Sequence, residues 1–137
     1  NKRVYDQINN GVYKAGFATT QQAYEEACLP LFAALDWVDE RLAARRYLTG
    51  ERITEADWRL FTTLVRFDPV YHGHFKCNIR RIQLYQWPGV AQTVNYEHIK
   101  QHYYYSHDTI NPTRIVPLGM GQDLRQPHDR GYLPGQN

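Results

Sequence analysis

The spacing of apolar residues between positions 23 and 42 constrains the fold more than any other feature of this sequence. Apolar side chains recur there with a period near 3.6, at Ala23, Ala27, Leu31, Ala34, Leu35, Val38 and Leu42. This period places them on one face of an amphipathic helix. Thr19 and Gln22 have capping-box spacing, so the helix is predicted to begin at Thr19 or Thr20, and Pro30 should kink it rather than end it. No stretch alternates like a strand for long, which predicts an all-α fold.

The segment around Thr54 carries the signals of another helix start. The Thr54 hydroxyl can accept from the amide three residues on, and Asp57 can reach back to Thr54, which is a short form of the capping box. Ile53 and Trp58 are placed on either side of the cap for a hydrophobic staple. The helix that follows is apolar on most sides. We expect it to lie in the centre of the core and to be stopped by Pro69.

Shorter elements complete the predicted organisation. These are a helix end at 1–10, an aromatic loop punctuated by glycine at 11–18, a brief helix at 80–82, a turn at 87–90 and a last helix from 96 to about 105 with Asn95 as its N-cap. Proline and glycine then recur to the end of the chain. We therefore divide the chain into a helical domain at 1–110 and an extended Pro/Gly-rich tail at 111–137.

Composition excludes several classes of protein. The 137 residues suffice for one domain, and 16 Lys+Arg against 14 Asp+Glu leave a net charge of +2, so bulk charge gives no sign of a nucleic-acid partner. No run of 18 apolar residues is present, so no membrane span is expected. Two cysteines make no disulfide framework, which favours a reducing, cytoplasmic setting. Eleven tyrosines suggest a polar-lined pocket or a wet interface.

Soft metal ligands occur in two places, but neither has the pattern of a metal site. His72, His74 and Cys77 lie in one loop without a second pair of ligands. His98 and His102 have the i,i+4 spacing of a zinc-protease helix, yet the glutamate that follows the first histidine in that motif is missing. We predict packing and capping roles for these side chains and no metal.

The two cysteines are also candidate nucleophiles. Lys76 and Arg80 lie near Cys77 in sequence and can depress the pKa of its thiol. No base is placed beside Cys28 or Cys77 by any recognisable motif, so a structural role is favoured for both. The same cations, with Arg81, can form an anion site, although a solvated basic edge is the favoured interpretation.

Two tyrosines in different parts of the chain are candidate ligand-binding residues. Tyr13 lies in the glycine-flanked loop at 11–18, and at most one or two of the consecutive tyrosines at 103–105 can point the same way on a helix. A phenol from the loop and one from the helix can converge on a phenolic or carbonyl oxygen of a ligand. Ordinary amphipathic packing explains them equally well, and the residues alone leave both alternatives open.

Longer stretches of the sequence resemble the glutathionyl-hydroquinone reductases, the xi class of glutathione transferases. The likeness runs from about Ile8 to about His128, with many separate motifs in the family's order. They are Ile8–Lys14, Gly16–Thr19, Thr54–Trp58, Val65–Tyr71, His74–Asn78, His98–Lys100, His102–Tyr104, Ser106–His107 and Thr109–Thr113. The resemblance implies a helical bundle like the C-terminal domain of glutathione transferases.

The resemblance also implies an activity. Members of this family reduce glutathionyl-hydroquinones with glutathione as co-substrate and without a metal, and release hydroquinone and oxidised glutathione. A cysteine in an N-terminal thioredoxin-like domain, within a Cys-Pro-Trp-Ala type motif, takes the glutathione as a mixed disulfide. The helical domain supplies the hydroquinone pocket, where two tyrosines of the family fall on Tyr13 and Tyr103. A homodimer is implied as well.

The sequence departs from the family in ways that limit what the chain does by itself. It contains no Cys-Pro motif, so the catalytic cysteine is expected in an N-terminal domain that is absent from this chain. It also has about a dozen residues fewer than the family between Ile82 and Tyr85, which corresponds to roughly three helical turns. We therefore suspect that Gln83 is not bonded to the residue beside it in this sequence. Position 15 is alanine where relatives often carry a cysteine that is not the nucleophile.

We therefore predict the substrate-binding domain of a glutathionyl-hydroquinone reductase, not competent as an enzyme in isolation. One alternative is a non-catalytic interaction module on the transferase scaffold. Another is a helical protein that binds metal through histidine and cysteine.

Overall fold

The computed structural model describes residues 2–82, 90–119, 123–125 and 132–134, and within them the fold is helical. These ranges contain four α-helices: α1 (Asn10–Gly16), α2 (Gln21–Ala43), α3 (Glu55–Arg66) and α4 (Tyr96–Ser106). A π-helical segment, Val4–Asn9, leads into α1, another, Phe67–Tyr71, follows α3, and a 3-10 turn spans Ala91–Thr93. In these residues the only β pairing is one isolated bridge between Tyr47 and Gly50. The all-α prediction is confirmed.

The region predicted as a loop at 11–18 is mostly helix, and this prediction is wrong. The chain stays helical from Val4 to Gly16, so Tyr13 lies on α1 and not in a loop. Gly16 allows Phe75 to pack against the end of α1, because a Cβ there would lie 2.3 Å from Phe75 Cγ. Gly11 lies inside the helix without breaking it, and a Cβ there would make only an ordinary contact with Leu31 at 3.4 Å.

Helix α2 begins with a side-chain cap and continues through its proline. Thr20 is the N-cap, and its hydroxyl accepts from the Ala23 amide at 3.1 Å. Because Thr20 is the cap, Ala23 takes the third helical position, and the box expected between Thr19 and Gln22 is not the one that forms. The helix passes Pro30 and ends at Ala43. Its buried face consists of Cys28, Leu31, Phe32, Ala34, Leu35 and Val38.

The capping box at the start of α3 is present in the structure. The Asp57 carboxylate accepts from the Thr54 amide and from the Thr54 hydroxyl, both at 2.9 Å. Its other oxygen accepts from the Leu48 amide at 2.8 Å. Asp57 therefore both starts the helix and holds the preceding loop against it.

We expect the loss of Thr54 and the loss of Asp57 to destabilise the fold by different amounts. Thr54→Ala should cost about 1 kcal/mol, the usual value for a lost cap. Asp57→Ala should cost about 2 kcal/mol or more, because three donors lose their acceptor at once. Chemical denaturation measures both. Thr62→Ala is the matched control, since Thr62 is an exposed threonine inside the same helix. Equal midpoints for all three variants would contradict this account of the helix start.

Helix α3 departs from expectation at its end and in its burial. The α-helix ends at Arg66, but Pro69 does not end the helical conformation, because a wider π turn accommodates it. In this turn the His72 amide donates to the Phe67 carbonyl at 2.8 Å. The helix is buried along one face only, at Ala56, Leu60, Thr63 and Val65. Trp58 is 45% exposed, so α3 covers the core and does not lie at its centre. The hydrophobic staple between Ile53 and Trp58 stays a prediction.

The structure also corrects the brief helix predicted at 80–82. This segment is not helical, and contacts with residues of other elements hold it in place. Arg80 pairs with Asp36 on α2, and the Ile82 amide donates to Asp68 at 3.1 Å. The predicted turn at 87–90 and the suspected gap near Gln83 fall mostly or wholly outside the described residues.

Helix α4 forms as predicted and holds part of the tail. The Asn95 side chain caps it by accepting from the His98 amide at 3.0 Å. Lys100, only 1% exposed, donates to the carbonyls of Pro117 and Gly119, both at 3.0 Å, and pairs with Glu97 at 2.7 Å. Three oxygens therefore satisfy this buried ammonium. The division into a domain at 1–110 and a tail at 111–137 stays a prediction.

The core lies where α1, α2 and the segment from 67 to 77 meet. Its most deeply buried large side chains include Tyr71, Phe67, Phe75, Ile8 and Leu31. Within the described residues, no helix has both the length and the apolar character needed to cross a membrane. The packing brings the C-terminal half of α1, the end of the second π-helical segment and α4 to one place.

Candidate functional site

Three tyrosine hydroxyls meet at this place, and we call them the tyrosine cluster. Tyr13 comes from α1, Tyr71 from the end of the second π-helical segment and Tyr103 from α4. The Oη atoms of Tyr13 and Tyr103 are 2.8 Å apart, and those of Tyr71 and Tyr103 are 3.0 Å apart. The structure therefore brings together the two tyrosines singled out in the sequence and adds Tyr71 as a third.

The helical phase of α4 selects Tyr103 from the three consecutive tyrosines. Tyr103 is buried on the same face as Lys100, whereas Tyr104 is half-buried and Tyr105 is 57% exposed. This agrees with the expectation that at most one or two of them point the same way. The buried face of α4 thus delivers one phenol to the cluster.

Exposure rises along the cluster from the core to the surface. Tyr71 is 2% exposed, Tyr103 is 8% exposed and Tyr13 is 39% exposed. Burial raises the pKa of Tyr71 far above the ordinary value for a phenol. Burial also raises the pKa of Tyr103, as does its hydrogen bond with Tyr13, while the hydrogen bond with Tyr71 and the charge of Arg66 lower it. Near pH 7 the buried part of the cluster is neutral and able to donate.

Aromatic rings surround the hydroxyls. Phe75 stacks on Tyr71 with ring centroids 5.2 Å apart and planes 20° apart, and it contacts Tyr13 at 5.3 Å. Phe17 extends this wall, with contacts to Phe75 at 5.6 Å and to His107 at 5.2 Å. A few polar groups within an apolar aromatic wall are the usual composition of a site for an aromatic ligand.

A histidine pair lies behind this wall. His74 Nε2 and His107 Nδ1 are 3.1 Å apart, and the two rings stack at 5.3 Å with planes 8° apart. Burial, with help from His107 and Lys76, lowers the pKa of His74 to about 4. Burial and nearby His102 also lower the pKa of His107. At pH 7 the pair is neutral and supports the wall through packing and one hydrogen bond.

This pair predicts how stability changes with pH. In the unfolded chain His74 has a pKa near 6.5, but in the folded protein its pKa is about 4, so between these values the unfolded state binds more protons. The stabilising effect is therefore present above pH 6.5 and is lost as the pH falls towards 4. Denaturation midpoints measured across this range should fall less in His74→Gln than in the unmodified protein. An equal fall of the midpoint in the two proteins would contradict this account of the His74–His107 pair.

The cysteines and their neighbouring cations do not form a reactive site. Cys28 and Cys77 are both free and buried. Burial, then the proximity of Cys28, raises the pKa of the Cys77 thiol to about 12 against the opposing effect of Lys76. The possibility of a depressed thiol pKa is thus wrong, because desolvation outweighs the nearby charge. Arg80 serves an ion pair with Asp36, which suits a solvated edge better than an anion site.

The histidines and cysteines considered as metal ligands are not gathered together. Among the residues that the structure describes, no three His, Cys, Asp or Glu side chains are grouped as metal ligands would be. His74 is committed to His107, and the Cys77 thiol contacts the Phe75 carbonyl at 3.7 Å. His74 and Cys77 are therefore engaged in packing contacts with neighbouring protein groups.

Comparison with known proteins finds chains similar to this one among glutathione transferases. The family model described as "Glutathione S-transferase, C-terminal domain" matches residues 21–102. The glutathionyl-hydroquinone reductase PcpF of Sphingobium chlorophenolicum is 57% identical over 135 residues, covering 90% of this chain and 43% of PcpF. The glutathione-bound structure of YqjG from Escherichia coli K-12 is 52% identical with a TM-score of 0.87, covering 95% of this chain and 46% of YqjG.

A third match is the xi class glutathione transferase from Natrialba magadii, which is 49% identical with a TM-score of 0.92. It covers 98% of this chain and 46% of that protein. The chain therefore spans less than half the length of these relatives.

Proposed function

Because the chain belongs to the glutathione S-transferase C-terminal domain family, we propose that it is the hydroquinone-binding domain of a glutathionyl-hydroquinone reductase of the xi class. The observation that carries the proposal is the 2.8 Å contact between the hydroxyls of Tyr13 and Tyr103, which come from opposite ends of the domain. A non-catalytic interaction module gives no reason for this contact beside an aromatic wall. The pairing therefore favours the reductase.

The proposed reaction removes glutathione from a glutathionylated quinol in two balanced steps. An enzyme thiol forms a disulfide with the glutathione sulfur, the carbon–sulfur bond breaks, and the ring carbon gains a proton. Free glutathione then reduces the mixed disulfide, which regenerates the enzyme thiol and releases oxidised glutathione. Overall the quinol carbon is reduced by two electrons, while the thioether sulfur of the conjugate and the thiol of one free glutathione are oxidised together to the disulfide. We assign the reactive thiol to a thioredoxin-like domain outside these residues, because Cys28 and Cys77 are buried.

In this scheme the tyrosines bind and polarise the ring oxygens of the quinol. Tyr13 is the most exposed member of the cluster and meets the ligand first. A neutral phenol can donate to an oxygen that becomes a carbonyl when a proton moves onto the ring. This stabilises the ketone-like tautomer, in which the thiol can attack the glutathione sulfur and the ring carbon leaves as the enolate of the quinol. Phe17, which is 46% exposed and packs against the buried Phe75, supplies apolar surface for the quinol ring.

The direct test uses the complete gene product that contains these residues. Incubated with glutathionyl-benzohydroquinone and glutathione, it should release hydroquinone and oxidised glutathione in equal amounts. S-hexylglutathione is the matched control, because its alkyl thioether has no phenolic tautomer and should not be turned over. Failure to release hydroquinone from a series of such quinols, by a preparation that binds glutathione, would leave the interaction module as the better account.

The proposal extends to partners and setting. Glutathione is the co-substrate, bound outside this domain, and aromatic hydroquinone conjugates are the substrates. We propose a homodimer in the cytoplasm with no nucleic-acid partner. Two free cysteines suit a reducing compartment, and a net charge of +2 gives no basis for nucleic-acid binding. Sedimentation of the complete gene product would contradict the dimer if it showed only monomer.

A further inference from the structure

The direction of the hydrogen bonds within the tyrosine cluster follows from the position of Tyr71. Its side chain is 2% exposed, so water is not available to its hydroxyl. Among the described residues, the hydrogen bond of normal geometry at Tyr71 Oη is the one to Tyr103 Oη at 3.0 Å, while the nearby Tyr13 hydroxyl also acts to raise the pKa of Tyr71. A phenol carries a single proton, and a buried hydroxyl that does not donate leaves that proton unpaired at a considerable free-energy cost. Tyr71 is therefore the donor and Tyr103 the acceptor.

The directions of the remaining hydrogen bonds in the cluster follow from this first one. The Tyr103 hydroxyl accepts from Tyr71, so its own proton is free to go to Tyr13 Oη, 2.8 Å away. Tyr13 then accepts from Tyr103, and its proton points away from the core towards the exposed side. Burial raises the pKa of both Tyr71 and Tyr103, so both phenols keep their protons near neutral pH and can act as donors.

We propose that Tyr71 is a positioning residue that fixes the hydrogen-bond chain in the direction Tyr71 to Tyr103 to Tyr13, so that Tyr13 presents its proton to a ligand oxygen. Hydrogen bonds aligned in this way polarise one another, which makes the terminal phenol a better donor. The site is therefore built for an oxygen that accepts, such as a carbonyl or a phenolate. That this oxygen belongs to a quinol rests on the proposed function.

Packing keeps Tyr71 in place independently of its hydroxyl. Its ring stacks on Phe75 at 5.2 Å and meets the edge of Phe67 at 6.3 Å. Tyr71→Phe retains these ring contacts and removes only the oxygen, so the variant tests the hydroxyl and not the core. Tyr24→Phe is the matched control, because its hydroxyl donates to the Lys76 carbonyl at 2.6 Å and lies outside the cluster.

Neutron diffraction from deuterated crystals of the complete gene product tests the direction itself, whatever the activity. We expect the deuteron of Tyr71 to lie towards Tyr103, and that of Tyr103 to lie towards Tyr13. The reverse arrangement, with Tyr103 donating to Tyr71, would overturn the proposal. The measured deuteron positions do not depend on which substrate the protein has.

Turnover tests the consequence of the fixed direction. Tyr71→Phe should lower kcat for a glutathionylated quinol about three- to tenfold, the value of one hydrogen bond, with little change in KM. Tyr24→Phe should leave kcat unchanged. Equal kcat values for Tyr71→Phe and the unmodified protein, where Tyr103→Phe is impaired, would overturn the positioning role and leave the proposed function intact. Full activity in Tyr13→Phe and Tyr103→Phe would instead count against the proposed function.

The pH profile provides a readout that a purely structural role would not move. Because the bond from Tyr71 lowers the pKa of Tyr103, its removal should shift the alkaline limb of kcat to higher pH. Arg66, His102 and His107 also face Tyr103, and the Tyr71→Phe change leaves all three in place. A limb that stays in place or moves to lower pH would contradict donation by Tyr71.

Discussion

Tyr103→Phe is expected to lower kcat for a glutathionylated quinol by about tenfold to a hundredfold, in line with the loss of one preorganised donor at a reacting oxygen. Tyr103 is the central member of the cluster, so its loss breaks the contacts to Tyr13 at 2.8 Å and to Tyr71 at 3.0 Å together. Tyr13→Phe should lower kcat similarly, because it removes the outermost donor. Glutathione affinity should be unchanged in both variants, since the thiol is proposed to lie in another domain.

Steady-state assays with varied quinol and isothermal titration with glutathione measure the two quantities separately. Tyr105→Phe is the matched control on the same helix, because Tyr105 is 57% exposed and takes no part in the cluster. Matching midpoints of thermal unfolding would show that Tyr103→Phe is folded. If both cluster variants turned over at the rate of Tyr105→Phe, the assignment of these tyrosines to the substrate would be wrong.

Gly16→Ala is expected to destabilise the fold by about 3 kcal/mol or more, at the upper end of the range for overpacking. A Cβ at this position would lie 2.3 Å from Phe75 Cγ, 2.5 Å from its Cδ1 and 2.9 Å from its Cβ. These atoms lie close to the backbone and cannot swing aside. Phe75 is itself fully buried and stacked on Tyr71, so it has no room to withdraw. The strain would also displace the wall of the tyrosine cluster.

Gly11→Ala provides the comparison for this prediction. It lies on the same helix, but its Cβ would meet nothing closer than Leu31 Cβ at 3.4 Å, an ordinary contact. Alanine also favours the helix over glycine by about 1 kcal/mol, so the net change should be small. Urea denaturation of the two variants measures the contrast. Similar midpoints for both would mean that Phe75 can move, and would contradict the close packing described here.

The helix starts were predictable because the signals that specify them are local. Thr20, Thr54 and Asn95 each lie within three residues of the group that they cap, so short-range spacing contains the needed information. The apolar stripe of α2 is equally local, since helical periodicity determines which residues share a face. These features establish a helical fold before any packing is considered.

Glycine and proline misled the prediction because their effect depends on distant partners. Gly16 ends α1 beneath a phenylalanine 59 positions away, and no local pattern reports that contact. Pro69 is accommodated by a π turn within the packed segment at 67–71. In both cases the residue is compatible with two local structures, and the tertiary contacts decide between them.

The candidate site shows the same division. Residue types alone left Tyr13 and Tyr103 open between packing and binding, and the resemblance to xi class transferases singled them out. Tyr71 was overlooked, although the abundance of tyrosine was a signal, because a tyrosine in an apolar segment has the pattern of an ordinary core residue.

The sequence by itself determined helices α2, α3 and α4, their N-caps and the family, because these depend on spacing within a few residues and on motifs in order. Only the tertiary structure decided that Tyr71 joins Tyr13 and Tyr103, and that exposure rises from 2% at Tyr71 to 39% at Tyr13. The physical reason is that the direction of a hydrogen bond depends on which partners each hydroxyl finds after burial. Tyr71 and Tyr13 lie 32 and 90 positions from Tyr103 in the sequence, and the three meet only in the folded chain.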